Sequence, residues 1–232
     1  MTGQKNKKSL KVAIVRFPAS NCDFDTYNYF QRAGHKPYFV WYKEKSIGNP
    51  DLLILPGGFA FGDRVYEKAT HDFHLDPGEQ AMKSPIMKDV LKAAKNGMPI
   101  LGICNGFQIL VKAGLLPGKL EQNDIKRFVC DWTTCLVEGR SFFDDKTLLK
   151  KKIKIPVAHG FGKYTLDRKT YDKLLKNNQI FLEYVGFNPN GSFKNIAGVS
   201  NEKGTIFGMM PHPERSCDKE YFMKAMEKYV AG

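Results

Sequence analysis

Two stretches of this chain carry side chains whose types and spacing could do covalent chemistry. The first is Pro99-Ile100-Leu101-Gly102-Ile103-Cys104-Asn105-Gly106-Phe107-Gln108-Ile109-Leu110. A short apolar run reads as a buried strand, Gly-x-Cys-x-Gly turns the chain, and a helix-like segment follows. That is the layout of a nucleophile elbow with cysteine in the place of serine. Small residues on either side let a sharp turn lift the Cys104 side chain out of the backbone. The same turn aims backbone N–H groups and a helix start at whatever the thiol attacks. An isolated cysteine is more often a buried packing residue, so the thiol needs partners.

The second stretch supplies them. A strand over Thr205–Met209 runs into Met210-Pro211-His212-Pro213-Glu214-Arg215. A histidine framed by prolines is rigidly placed, because each proline fixes its own φ and restricts the residue before it. In extended chain His212 and Glu214 project to the same side. The carboxylate can then hold one imidazole nitrogen while the other addresses Cys104. A thiol with a pKa of about 8.5 is mostly protonated at neutral pH, and an adjacent imidazole makes the nucleophilic thiolate. Alone, His-x-Glu is also what a packing histidine beside a surface glutamate looks like. A third feature is Pro56-Gly57-Gly58-Phe59, at the carboxyl end of the apolar run Asp51–Leu55. Ligand sites in open α/β sheets gather there, and paired glycines let backbone N–H groups approach a ligand, although an ordinary strand-ending turn has the same composition. The three features together favour chemistry.

Elements that would position these groups follow in order. Lys11–Phe17 reads as a first buried strand, with a helix from about Asp25 to Ala33 ended by Gly34. Pro37–Tyr42 and Asp51–Leu55 are the next strands. Gly62 to Gly78 is polar, without clean periodicity, and leads to a helix over Ser84–Lys95. The Cys104 strand comes next, with its helix ending near Gly114. Phe128–Val137 and Ile153–His159 are strands, and Tyr171–Lys176 is a short helix. Ile180–Val185, Ile196–Ser200 and Thr205–Met209 are short strands split by turn sequences. Asp218–Tyr229 closes as an amphipathic helix with Tyr221, Phe222, Ala225, Met226 and Tyr229 on one stripe. Alternating strands and helices predict an α/β fold: a mostly parallel sheet with helices on both faces, and antiparallel strands from the second half added at its edge. No repeat or linker divides the chain, so residues 1–10 read as a basic polar tail and 11–232 as one domain.

Composition bounds the rest. The 232 residues can enclose a sizeable core. No apolar run approaches the roughly 20 residues that span a bilayer, and the polar Met1–Lys8 has no apolar signal core, so a cytoplasmic location with no membrane partner is expected. The five cysteines (Cys22, Cys104, Cys130, Cys135, Cys217) are odd in number and lack Cys-x-x-Cys, which argues reduced thiols. His71 and His74 are close, but no Cys or His cluster completes a metal site. The net charge of +12 sits largely in scattered lysines without interleaved aromatics, the pattern of a solvated surface and not of a nucleic-acid binder.

The chain resembles the class I (triad) glutamine amidotransferases, and within them the branch of glutaminase subunits of phosphoribosylformylglycinamidine synthase. The resemblance covers nearly the whole chain from Lys11. It rests on Phe17-Pro18-Ala19-Ser20-Asn21-Cys22-Asp23, Pro56-Gly57-Gly58-Phe59 with Gly62-Asp63, and Gly102-Ile103-Cys104-Asn105-Gly106-Phe107-Gln108. It continues through Ala158-His159-Gly160, Asn188-Pro189-Asn190-Gly191-Ser192 with Ile196-Ala197-Gly198, and Gly208 to Arg215. It implies a flavodoxin-like fold and L-glutamine as substrate. Cys104 would attack the side-chain amide, His212 would serve as acid and base, and Glu214 would orient the ring. Backbone N–H groups of Gly57, Gly58 and Asn105 would stabilise the oxyanion, and Gln108 would contact the bound glutamine. Ammonia would pass to a formylglycinamidine ribonucleotide synthetase subunit, whether or not a third small subunit joins. That partner would carry ATP and Mg²⁺, leaving this chain without a cofactor or metal of its own.

Three positions depart from the family pattern. Phe161 stands where glutamate is common, Asp131 where a basic residue is expected, and the 62–78 connection is longer than usual, as a lid, an interface or a lineage-specific loop would be. Cys22 follows the first strand without an elbow and is not expected to be a nucleophile. Other readings are a triad enzyme of another pathway, a γ-glutamyl hydrolase, or a catalytically silent basic binding protein on the same fold.

Overall fold

The computed structural model describes residues 9–60, 77–138 and 150–216, with 222, 225, 226 and 228–230. Its elements are β1 (Lys11–Arg16), α1 (Asp23–Arg32), β2 (Lys36–Trp41), β3 (Leu52–Leu55), α2 (Pro77–Lys83), α3 (Pro85–Lys95), β4 (Ile100–Ile103) and α4 (Asn105–Lys112). They continue as β5 (Lys119–Glu121), β6 (Val129–Val137), β7 (Lys152–His159), β8 (Lys163–Thr165), α5 (Arg168–Lys176), β9 (Ile180–Val185), β10 (Ile196–Ser200) and β11 (Ile206–Met209). Among the described residues, nine strands form one sheet in the order β2-β1-β3-β4-β11-β10-β9-β6-β7. The half from β2 to β11 is parallel and the half from β10 to β7 antiparallel.

The chemistry of each half explains the division. All residues of β3, β4 and β11 are buried, as parallel strands covered on both faces must be. The exposed-buried alternation of β7 marks a strand with one wetter face. Among the helices, α3 starts with proline after Ser84 and buries Ile86, Met87, Val90, Ala93 and Ala94 along one stripe.

The sequence places the last strand with the antiparallel edge group, and the structure places it elsewhere. β11 leaves a hairpin with β10 and inserts beside β4 in parallel, pairing Gly208 with Gly102 and Met209 with Ile103. Glycines permit α4 to sit on this seam: a Cβ at Gly208 would stand 2.1 Å from Phe107 Cδ2, and one at Gly102 2.6 Å from Leu110 Cδ1. Insertion of β11 brings the His212 segment to the end of the strand that carries Cys104.

Other differences are local. α5 begins at Arg168, ahead of the expected Tyr171, because Asp167 caps it by accepting from the Thr170 N–H at 2.7 Å. The β5–β8 pair, three residues on each strand, is too short for alternation to reveal. Pro77 and Gly78 begin α2 and do not extend a loop; positions 61–76 lie outside the described residues, as do Met1–Lys8, His71 and His74. Phe222, Ala225 and Met226 of the closing helix are buried, whereas Asp218 and Tyr221 lie outside the described residues. Among the described residues no helix is long and apolar enough to cross a membrane.

Candidate active site

Cys104 stands between β4 and α4 at φ 50° and ψ −107°, a conformation that costs a non-glycine residue about 1–3 kcal/mol. The surrounding structure enforces it. The Cys104 N–H donates to the Met209 carbonyl at 2.7 Å, and the Cys104 carbonyl accepts from Gln108 N–H at 3.1 Å. A Cβ at Gly106 would lie 1.9 Å from the Leu55 carbonyl oxygen, so only glycine lets the elbow approach β3. The thiol is 2 % exposed and points toward the Ala158 carbonyl, with Sγ 3.6 Å from the oxygen.

His212 and Glu214 meet by a different route from the expected alternation of an extended strand. His212 is extended and its N–H donates to the Pro156 carbonyl at 2.9 Å, while Pro213–Arg215 turns at once into a 3₁₀ helix. The turn brings Glu214 back under the ring, with His212 Nδ1 2.7 Å from Glu214 Oε1 and both side chains buried. Nδ1 therefore donates to the carboxylate, leaving Nε2 as the working nitrogen. Among the described residues neither His212 Nε2 nor Glu214 Oε2 has a conventional hydrogen-bond partner; the groups facing the ring are the thiols of Cys104 and Cys22. Burial opposes charge on the ring, but the negative charge of Glu214, then the two thiols and the Glu214 hydrogen bond, hold the imidazole pKa well above its ordinary value.

The diglycine loop closes over this pair. A Cβ at Gly57 would stand 2.7 Å from His212 Cε1, 3.3 Å from Cys22 Sγ and 3.4 Å from Cys104 Cβ, so the missing side chain leaves room that all three share. Gly58, at φ 144°, packs against the Ala19–Asn21 backbone, where a Cβ would be 2.5 Å from Asn21 N. The Phe59 N–H donates to Ala19 and the Cys22 N–H to Gly57, which ties the Ser20-Asn21-Cys22-Asp23 segment to the loop.

Asn105 and Gln108 are both buried. Gln108 Oε1 accepts from Asn105 Nδ2 at 2.9 Å, and Gln108 Nε2 donates to the Phe161 carbonyl at 2.8 Å. Gln108 thus fastens the segment after β7 to the elbow helix. Because it grips the backbone of Phe161, the glutamate-to-phenylalanine departure there leaves this contact intact. Asp131 lies on the exposed part of β6 and bonds the Trp132 N–H.

The Asn188–Ser192 motif forms a polar layer behind the site. Asn190 Nδ2 reaches His159 Nε2 at 3.3 Å and the Tyr184 hydroxyl at 3.2 Å, while its Oδ1 accepts from the Ser192 hydroxyl at 2.6 Å. Burial, then the nearby His212 charge, pushes the His159 pKa down to about 3, against a smaller upward effect of its own backbone. His159 is therefore a neutral structural imidazole.

Cys104, His212, Glu214, Gly57, Gly58, Asn105 and Gln108 all gather at the carboxyl ends of β3, β4 and β11, where an open α/β sheet places its ligands. Sequence reasoning set aside Cys22, yet its sulfur, a His212 nitrogen and a Glu214 oxygen lie within 4.8 Å of one another. The signal available was the position of Ser20-Asn21-Cys22-Asp23 at the end of β1, itself a ligand-bearing edge.

A family model of the CobB/CobQ-like glutamine amidotransferase domain matches residues 9–229. The chain is 41 % identical over 211 residues to the phosphoribosylformylglycinamidine synthase subunit PurQ of Wolinella succinogenes, covering 90 % of this chain and 92 % of that one. In the solved structure of PurLQS from Thermotoga maritima, a chain of 37 % identity superposes with a TM-score of 0.81, covering 96 % of this chain and all of that one. A second protein from Thermotoga maritima, a glutamine amidotransferase, shares the fold at 17 % identity and a TM-score of 0.58, over 97 % of this chain and 85 % of its own. The chain belongs to the CobB/CobQ-like glutamine amidotransferase domain family and, within it, to the PurQ subunits of phosphoribosylformylglycinamidine synthase.

Proposed function

We propose that this chain is the ammonia-producing subunit of a phosphoribosylformylglycinamidine synthase, acting on L-glutamine in the cytoplasm. Cys104 passes its proton to His212 Nε2 and attacks the side-chain amide carbon. The tetrahedral oxyanion is held by backbone N–H groups of the Gly57–Gly58 loop and of Asn105, fixed donors aimed where charge develops. His212 then gives the proton to departing ammonia, leaving a γ-glutamyl thioester on Cys104. Next it takes a proton from water, which cleaves the thioester to glutamate. Glu214 keeps Nδ1 protonated throughout. Gln108, whose amide is already engaged with Asn105 and Phe161, shapes the site more than it grips substrate.

Ammonia passes to a synthetase subunit. There ATP and Mg²⁺ support conversion of formylglycinamide ribonucleotide to formylglycinamidine ribonucleotide. The T. maritima structure names such an assembly, PurLQS, for the similar chain it contains. The observation that carries the reading is the strained Cys104 elbow facing a buried His212–Glu214 pair at 2.7 Å.

A glutaminase assay with and without the synthetase tests it. The expected result is slow hydrolysis alone and strong stimulation by the partner, lost in Cys104→Ala. Full activity in Cys104→Ala overturns the nucleophile. Rapid hydrolysis by the chain alone, unchanged by the synthetase, overturns the partnership.

A further inference from the structure

The mechanism uses one thiol, but the site holds two. Cys22 is 5 % exposed at the start of the ten-residue α1. Its sulfur accepts from Arg215 Nη2 at 3.3 Å, and Arg215 also pairs with Asp25 through Nε at 2.8 Å. A cysteine that merely packs is surrounded by apolar groups; this one is met by a guanidinium and an imidazole. The other described cysteines differ. Cys130 is exposed on β6, and Cys135 is buried on the same strand, where desolvation pushes its thiol pKa up.

The space left beside Gly57 is bordered by the Cys22 sulfur and by the carbon that carries the Cys104 sulfur. The glycine's absent Cβ would stand 3.3 Å from Cys22 Sγ and 3.4 Å from Cys104 Cβ. A disulfide with Cys22 requires the Cys104 sulfur to turn away from the Ala158 carbonyl and toward that space. A thiolate activated by His212 is also the form that hydroperoxides oxidise.

We infer that Cys22 is a resolving thiol for Cys104, so that a hydroperoxide converts the pair to a reversible disulfide that switches the glutaminase off. The Cys104 thiolate attacks one peroxide oxygen and the O–O bond breaks. Sulfur becomes the sulfenic acid, and the expelled hydroxide leaves as water with a proton from His212. The Cys22 thiolate, its proton released to solvent, then attacks the Cys104 sulfur. An S–S bond forms, the S–O bond breaks, and hydroxide takes up a proton to leave as a second water. Two thiols are oxidised by two electrons and one peroxide is reduced to water. The disulfide protects Cys104 from irreversible sulfinic acid, and a dithiol restores both residues. This inference rests on Cys104 being the nucleophile proposed above.

The test treats the full-length chain with hydrogen peroxide in the presence of a chelator, alkylates remaining thiols under denaturing conditions, and maps non-reduced peptides by mass. The expected product joins the Cys22 and Cys104 peptides with loss of two hydrogens. Glutaminase activity assayed with the synthetase falls in parallel and returns to the untreated rate with dithiothreitol. In Cys22→Ser, compared with its own untreated rate, peroxide drives Cys104 to sulfinic acid and dithiothreitol does not restore activity. Cys104 sulfinic acid in the wild type with Cys22 still alkylated overturns the inference, as does equal recovery in the variant. A parallel sample receives an electrophilic glutamine analogue: labelled Cys104 without disulfide rejects only the resolving role, and unlabelled Cys104 rejects the nucleophile itself.

Discussion

Gly57→Ala should separate folding from catalysis in this site. The backbone at Gly57 is outside the left-handed region, so alanine is conformationally allowed. Its methyl carbon would stand 2.7 Å from His212 Cε1, against an optimum of about 3.5–4.0 Å between carbons, so the ring has to move by about 1 Å. The ring is held from behind by the Glu214 carboxylate at 2.7 Å, and its residue by the Pro156 carbonyl at 2.9 Å, so it cannot retreat without losing one of them. A displacement of about 1 Å at a reacting group costs about a hundredfold in rate, or roughly 2.7 kcal/mol of barrier. The other contacts, 3.3 Å to Cys22 Sγ and 3.4 Å to Cys104 Cβ, are tight without being clashes. Overpacking of this kind lowers stability by about 1–3 kcal/mol, which a stable domain survives. The assay is glutaminase kcat with saturating synthetase, alongside circular dichroism melting. A variant that melts as a folded protein and keeps kcat within about twofold of wild type would refute the placement of His212 against the diglycine loop.

Further outcomes follow from the same geometry. Glu214→Gln should lower kcat by about 10²–10⁴ and move the pH at which His212 loses its proton downward, read from the pH–rate profile. With Glu214 present, the stability contributed by the His212 proton is complete below about pH 6.5 and is lost as pH rises through the higher folded value. His159 has the opposite sign: with its pKa depressed to about 3, the folded state loses stability as pH falls from about 6.5 toward 3. This is about 3 kcal/mol between pH 7 and pH 4, and urea unfolding of wild type and His159→Gln at both values should show the variant losing less by that amount. Gly106→Ala should destabilise by about 3 kcal/mol or more, since its methyl would meet the Leu55 carbonyl at 1.9 Å; an unchanged melting temperature would contradict the packing of the elbow.

The elbow was legible because its requirements are local. Gly102 and Gly106 flank Cys104 in sequence, and the clashes their side chains would make are with the adjoining helix and the strand next door. His212 and Glu214 were legible as a pair through their spacing, but the cause was different: a 3₁₀ turn beginning at Pro213 brings them together. The parallel insertion of β11 beside β4 was not legible, because short buried strands look alike whichever direction they run. The surroundings of Cys22 were not legible for a related reason. They depend on α1 starting beside Gly57 and on Arg215, 193 positions away, reaching back to its sulfur. The His159–Asn190 contact likewise joins two motifs that sequence could match to a family but not to each other.

Cys104, served by His212 and Glu214, is proposed to form a γ-glutamyl thioester. The most direct test is covalent capture. The chain, paired with its synthetase, is incubated with a diazoketone analogue of glutamine and its peptides are mapped by mass. The expected result is one equivalent of label on the Cys104 peptide, prevented by excess glutamine and abolished in Cys104→Ala with the fold intact. Label on Cys22 or another residue, or the same labelling in Cys104→Ala, would contradict it.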